Sequence, residues 1–337
     1  MHIDIKTTVI QPKRNTFKHV AARLGGDRPA SRYEEGTFDL QADVNYHYRP
    51  LWAPQFEQFD RRRTKVVMKD WYALKDPRQY YYASYNISRA KQQEAVEHNF
   101  EMVEKRQMLA AIPADWREKV LAYLLPLRHY EWAANMNNCS ITVFGWGAAL
   151  TAPTCFAMAD RLGIAQLISR IGLLLGDNSE AALDEAKACW MEDPAWQGLR
   201  HMVEDSLVVE DFFELFVAQN LAMDHVVHTL AYTLLAAEGD RRGAYAISIL
   251  CSFIAEWKEE TDRWVDSVVK TAAAESTDNK ALIKGWLAAW GDRALAAVAP
   301  LAEVILGGGA GKAAVVEVKA SVDARSAKLG LMRGVDR

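Results

Sequence analysis

The sequence predicts an all-α chain, a helical bundle preceded by an extended N-terminal arm. Three observations carry this. From about residue 88 onward apolar residues recur three and four apart. No segment alternates apolar and polar side chains as a half-buried strand does. Five of the ten prolines (Pro12, Pro29, Pro50, Pro54 and Pro77) fall within the first 84 residues. At 337 residues, 50% of them hydrophobic, the chain can bury a large core.

Residues 1–84 read as the arm, with scattered aromatics and little sustained helical period. Flexible linkers are poor in Tyr, Trp and Arg, whereas interface anchors are rich in them. Tyr46, Tyr48, Arg49, Leu51 and Trp52, with Tyr80, Tyr81 and Tyr82, are therefore the candidate subunit-contact residues. The competing reading folds the arm back onto its own bundle. The bundle spans 85–305. Its first helix carries Val96, Phe100, Val103 and Ala110 on one stripe and ends at Pro113, and a second starts near Asp115 and is kinked or divided at Pro126. Residues 127–150 leave almost no polar face, which places that helix at the centre. Further helices are expected at 154–175, 179–192, 194–207, 208–237, 242–273 and 278–305. Ser179 and Asp193-Pro194 are the start signals among them, and Gly239 is a stop signal. The run Gly307-Gly308-Gly309-Ala310-Gly311-Lys312 lacks the first glycine and the hydroxyl residue of a phosphate loop, so 306–337 read as a flexible tail.

The net charge of −4 conceals an asymmetry: residues 1–90 hold 16 Lys/Arg against 10 Asp/Glu, and the remainder 24 against 34. The basic residues of the arm are interleaved with acids and aromatics. That pattern argues for a protein partner and against nucleic acid. The cluster Arg61-Arg62-Arg63 reads as a solvated or salt-bridged turn. Cys139, Cys155, Cys189 and Cys251 are widely spaced with no CxxC pair, as in a reduced, cytoplasmic protein. The N-terminus has no apolar signal core, and apolar runs stop well short of ~18 residues, so no membrane partner is expected.

A helical bundle holding two carboxylate-bridged metal ions needs a Glu and a His three apart on one face, twice. No Asp or Glu here is followed three residues later by His: Glu131 meets Ala134, Glu210 meets Phe213 and Glu256 meets Glu259. The expectation is a chain with no catalytic, cofactor or metal residues. The alternative is an independent metalloenzyme with atypical ligands, drawn from Glu131, Glu210, His225 and His228, with Asp224 four residues before His228. A free helical binding module is the third reading. His129, two residues from Glu131, points to a different helix face and reads as a packed histidine.

The segments Asp27–Tyr33, Tyr46–Trp52, Asp76–Tyr82, Pro126–His129, Ala134–Asn138, Asp160–Gly163, Ser169–Leu175, Val203–Ser206 and Arg263–Asp266 occur in order. They resemble the β subunit of bacterial multicomponent phenol hydroxylases, which are soluble di-iron monooxygenases. The resemblance implies a ferritin-like bundle and a place in a dimer of αβγ trimers. It implies that the di-iron centre lies in the partner α subunit, with FAD and a 2Fe-2S cluster in a separate NADH reductase and a small regulatory protein alongside. By the same resemblance Glu131 stands on a former ligand helix with Ala134 at the lost His position, Gln219 stands near another former ligand, and the arm reaches across the α subunits. A toluene or alkene monooxygenase β subunit is the nearest alternative. The tail beyond Gly307 has no counterpart in the resemblance, and 224–245 matches loosely.

Overall fold

The computed structural model describes residues 16–25, 28–41 and 49–332, so Tyr46 and Tyr48 lie outside the described residues. Helices dominate, and no strand occurs among the described residues. The arm holds two short helices, α1 (Lys18–Leu24) and α2 (Arg32–Glu35). Ser31 and Glu34 close a capping box that starts α2, satisfying two backbone donors that a four-residue helix would leave open.

The bundle follows as α3 (Tyr82–Lys105), α4 (Ala114–Leu124), α5 (Leu127–Phe144) and α6 (Ala148–Leu175), then α7 (Ala181–Glu192) and α8 (Pro194–Ser206). As expected, α8 begins at Pro194 with Asp193 accepting from Ala195 N; Ser179 is not the cap of α7, which begins at Ala181 after Glu180, although the Ser179 hydroxyl accepts from Ala181 N. The segment expected as one helix over 208–237 is α9 (Phe212–Phe216), a π-helical stretch (Val217–Met223), α10 (Asp224–His228), a second π stretch (Thr229–Leu234) and α11 (Leu235–Arg241). The junctions stay in right-handed helical geometry, so these pieces form one continuous rod. Gly239 is not its stop. It lies inside α11 because a Cβ there would sit 2.7 Å from Trp116 Nε1, and the chain turns instead at Gly243. Helices α12 (Tyr245–Leu250), α13 (Ser252–Glu275), α14 (Thr277–Leu306) and α15 (Gly308–Lys328) complete the chain.

Three expectations need correction. Over its described residues the tail is not a loose segment: α15 lies along α14 and buries Ala314 and Val318, and Leu331 beyond it is buried too. The glycine run is a tight corner, since a Cβ on Gly311 would fall 2.6 Å from Glu303 Cα. Nor is the arm detached throughout. Val66, Met68, Trp71 and Leu74 are core residues, and Asn279 on α14 accepts from Val67 N and donates to Val67 O, extending the bundle's hydrogen bonding to the strap. Finally, α5 is not apolar all round. Its buried side carries Glu131, Asn135, Asn137 and Asn138, while Trp132, Met136 and Val143 face outward. The polar groups are inside because they have partners there.

Candidate functional site

Arg161, on α6, is wholly buried, which is rare for a residue with five N–H donors and a fixed charge. Its NH1 donates to Glu131 Oε2 at 2.8 Å and its NH2 donates to Asp224 Oδ2, so carboxylates from α5 and α10 flank it. The Trp257 ring, from α13, lies 4.4 Å from the guanidinium carbon, a cation–π contact in a dry site. His228, one turn after Asp224, brings Nε2 to 3.6 Å from Glu131 Oε1 and 3.5 Å from Arg161 NH1. Burial would raise the Glu131 carboxyl, but the charges of Arg161 and His228 outweigh it and hold the group below the usual carboxylate range. Burial likewise opposes charge on Arg161, and Asp224 and Glu131 more than restore it.

A ring of neutral polar groups completes the cluster. Tyr130 OH donates to Asp224 Oδ1 at 2.6 Å, Gln219 Nε2 donates to the same oxygen at 2.8 Å, and Asn137 Nδ2 donates to Gln219 Oε1 at 2.8 Å. Gln219 and Asp224 are five residues apart. On a regular α-helix they would point well away from each other, and the π stretch between them brings them onto one face. Next to Arg161, Asp160 faces the other way. It accepts from Tyr85 OH, from Arg89 twice and from Trp257 Nε1, tying α3, α6 and α13 together. Trp257 thus bonds one residue of the Asp160-Arg161 pair and covers the other.

Of the sequence-predicted metal ligands, Glu131, Asp224 and His228 gather around Arg161, and Glu210 and His225 stand apart. Glu131 and His228 meet at the cluster, but Glu210 is exposed beside Trp52 and Arg63, and His225 turns toward α15. His129 packs on Trp190 away from Glu131, consistent with the structural reading of it. A two-metal carboxylate centre does not fit the donor set present, because the two acidic side chains at the bundle centre are both engaged by one fixed cation. Sequence reasoning missed Arg161. The signal was a charged pair, Asp160-Arg161, in a helix that otherwise carries no charge before Arg170.

Of the arm candidates, Leu51 is 93% and Trp52 74% exposed, and Trp52 lines a groove of about 720 Å³ whose wall includes Phe56, Arg63, Phe144 and Val208. Arg49 pairs with Glu57 at 2.5 Å. Tyr82 projects outward at the start of α3 and Tyr81 is half-buried, whereas Tyr80 is used within the chain, its OH bonded to Ser88 and its ring under Arg78 and Arg89. In the run Arg61–Arg63, Arg62 pairs with Asp60 as expected, while Arg61 and Arg63 lie over the rings of Trp146 and Phe144.

A second buried ionic group anchors α15. Arg325 donates to Asp266 and pairs with Asp262, Lys258 pairs with Asp262, and His225 contacts Ser321 and Arg325. Burial, with Lys258 and Arg325 adding to it, pushes the His225 imidazole from 6.5 down to about 4. The folded chain therefore holds it neutral, and the unfolded chain binds the extra proton below pH 6.5. The stability this contributes is full above the unfolded value and falls as pH drops through the interval from 6.5 to 4. Between about pH 7 and about pH 5 the loss should be about 2 kcal/mol. Thermal melts of the chain and of His225→Gln across that range check this: the variant's profile should be flatter.

The matching family model, described as methane/phenol/alkene hydroxylase, covers residues 52–276. This chain is also 44% identical, over 98% of both chains, to the phenol 2-monooxygenase oxygenase component DmpL of Pseudomonas sp. (strain CF600). It belongs to the methane/phenol/alkene hydroxylase family. Within that family it is 41% identical to the oxygenase component MhpL of Acinetobacter pittii (strain PHEA-2), again over 98% of each chain. It is 25% identical, over 71% of its length and 72% of the relative's, to the hydroxylase component subunit beta of the toluene-4-monooxygenase system of Ectopseudomonas mendocina. Its fold superimposes on a xenon-pressurized phenol hydroxylase from Pseudomonas sp. OX1 with a TM-score of 0.90, at 39% identity and covering 98% of this chain and 99% of that one. The all-α, ferritin-like architecture expected of this hydroxylase-family member is the one observed. No helix of the described residues is long and apolar enough to cross a membrane.

Proposed function

We propose that this chain is a non-catalytic β subunit of a multicomponent aromatic monooxygenase acting on phenol or a related ring. In this reading it supports an iron-bearing α subunit and the dimer of αβγ trimers. The carrying observation is Arg161: a guanidinium bonded to both acidic side chains at the centre leaves them no role as ligands of a bridged metal pair. Relatives named as phenol 2-monooxygenase oxygenase components at over 40% identity support the substrate class. The relative named as a subunit beta supports the subunit assignment. O2 activation would then belong to the partner's di-iron centre, fed by NADH through the FAD and 2Fe-2S reductase. The work of this chain is rigidity, because ligands on a neighbouring bundle keep their geometry only when the supporting helices are fixed. Leu51, Trp52 and Tyr82, with the outward face of α5, supply exposed apolar area for that contact.

Native mass spectrometry of the tagged chain recovered from its own host tests the assignment. Equal recovery of a larger α chain and a smaller γ chain is expected; a chain that runs alone, with no stoichiometric partner, would contradict it.

A further inference from the structure

We infer that Cys139 and Cys155 form a redox-active thiol pair, which hydrogen peroxide closes into a disulfide stapling α5 to α6 while the subunit is outside its complex. The second half of this rests on the proposed subunit role, in which the outward side of α5 faces a partner.

The register of the α5–α6 hairpin carries it. The two helices run antiparallel, joined by residues 145–147, and hydrogen bonds cross between them on either side of the cysteines. Asn135 Nδ2 donates to the Met158 carbonyl at 2.9 Å, and the hydroxyls of Thr142 and Thr154 meet at 2.9 Å. Cys139 lies one turn from both Asn135 and Thr142, and Cys155 lies between Thr154 and Met158, so the two stand at one level of the hairpin. Each follows its helix's facing residues in the same rotational sense, which in an antiparallel pair puts both on one flank of the seam. Ala134, Thr154 and Ala157 are small and buried there, so the axes can close to the short end of the usual range of about 8–10 Å. Both thiols are free and half-buried, within reach of a small oxidant. Cys139 also lies on the exposed apolar side of α5 with Trp132, Met136 and Val143, so a partner on that side covers it.

The chemistry balances between the pair and one peroxide. Burial, with Cys139 adding to it, holds the Cys155 thiol above its ordinary value, so Cys139 takes the first step. Its thiolate attacks a peroxide oxygen, the O–O bond breaks, water leaves and a sulfenic acid forms. The Cys155 sulfur then displaces a second water and the S–S bond forms. Two electrons and two protons pass from the thiols to the peroxide. A reducing cytoplasm reverses the change, as for other transient disulfides of that compartment.

The test treats the full chain, alone and in its recovered complex, with hydrogen peroxide after reduction and removal of the reductant. In the free chain both thiols should be lost, the chain should stay a monomer on a nonreducing gel, and peptide mapping should find Cys139 joined to Cys155 by a bond that dithiothreitol splits. Cys189, on α7, and Cys251, before α13, should stay unlinked. Cys155→Ser should abolish the link and carry Cys139 on to the sulfinic acid, since no second thiol intercepts it. Separate oxidation of the two cysteines in the parent, a link between two chains, or no reaction at all would each overturn the inference. In the complex the link should form several-fold more slowly, because only transient opening of the contact uncovers Cys139. Equal rates would overturn the shielding, and with it the outward side of α5 as a partner contact, while the thiol pair stands. The subunit role itself fails separately, if the chain recovered from its host brings no partner.

Discussion

Arg161→Met should destabilise the chain by about 3–5 kcal/mol, the usual cost of leaving the other half of a buried ion pair uncompensated. Glu131 and Asp224 are 0% and 1% exposed, so neither can turn to water, and Met fills the space of the arginine stem without its charge. Adding Glu131→Gln and Asp224→Asn to Arg161→Met should recover most of the loss, because it removes the uncompensated charges as well as the cation. Chemical denaturation of the single and triple variants separates the two outcomes. A triple variant no more stable than R161M would show that packing against Trp257, rather than charge, is what Arg161 contributes.

The second large effect is expected at the surface and should leave folding untouched. Leu51→Ser with Trp52→Ser removes two side chains that touch little of their own chain, so the melting temperature of the isolated subunit should stay within the scatter of ordinary surface changes. Co-recovery of partner chains should fall, with association weakened by at least about 2 kcal/mol, roughly 30-fold, as for loss of a buried aromatic anchor. Unchanged assembly would transfer the contact to the outward face of α5, around Trp132 and Met136.

Much of the fold is written in the local sequence, and the reasons differ by element. Pro113, Pro126 and Asp193-Pro194 act through the backbone alone, so the boundaries they set are legible without knowing any neighbour. Gly239 and Gly311 misled because each is glycine for the sake of a different helix, the Trp116 ring of α4 in one case and the α14 backbone in the other. The polar interior of α5 was hidden for the same reason. Asn137 and Glu131 are stable inside only because Gln219 and Arg161 arrive from other helices. The sequence lacks the Glu-to-His spacing of a bridged metal pair. It could not tell what stands at the centre, since Arg161 and Asp224 are 63 residues apart, and Gln219 joins Asp224 on one face only through a π stretch that no periodicity announces.

The central claim is that the iron chemistry of the complex lies in a partner and that this chain's core is closed by its own arginine. The most direct test is metal analysis of each subunit separated from the recovered complex. The account predicts iron in the largest chain and only background metal in this one. Two metal ions per chain here, with the chain folded, would contradict it.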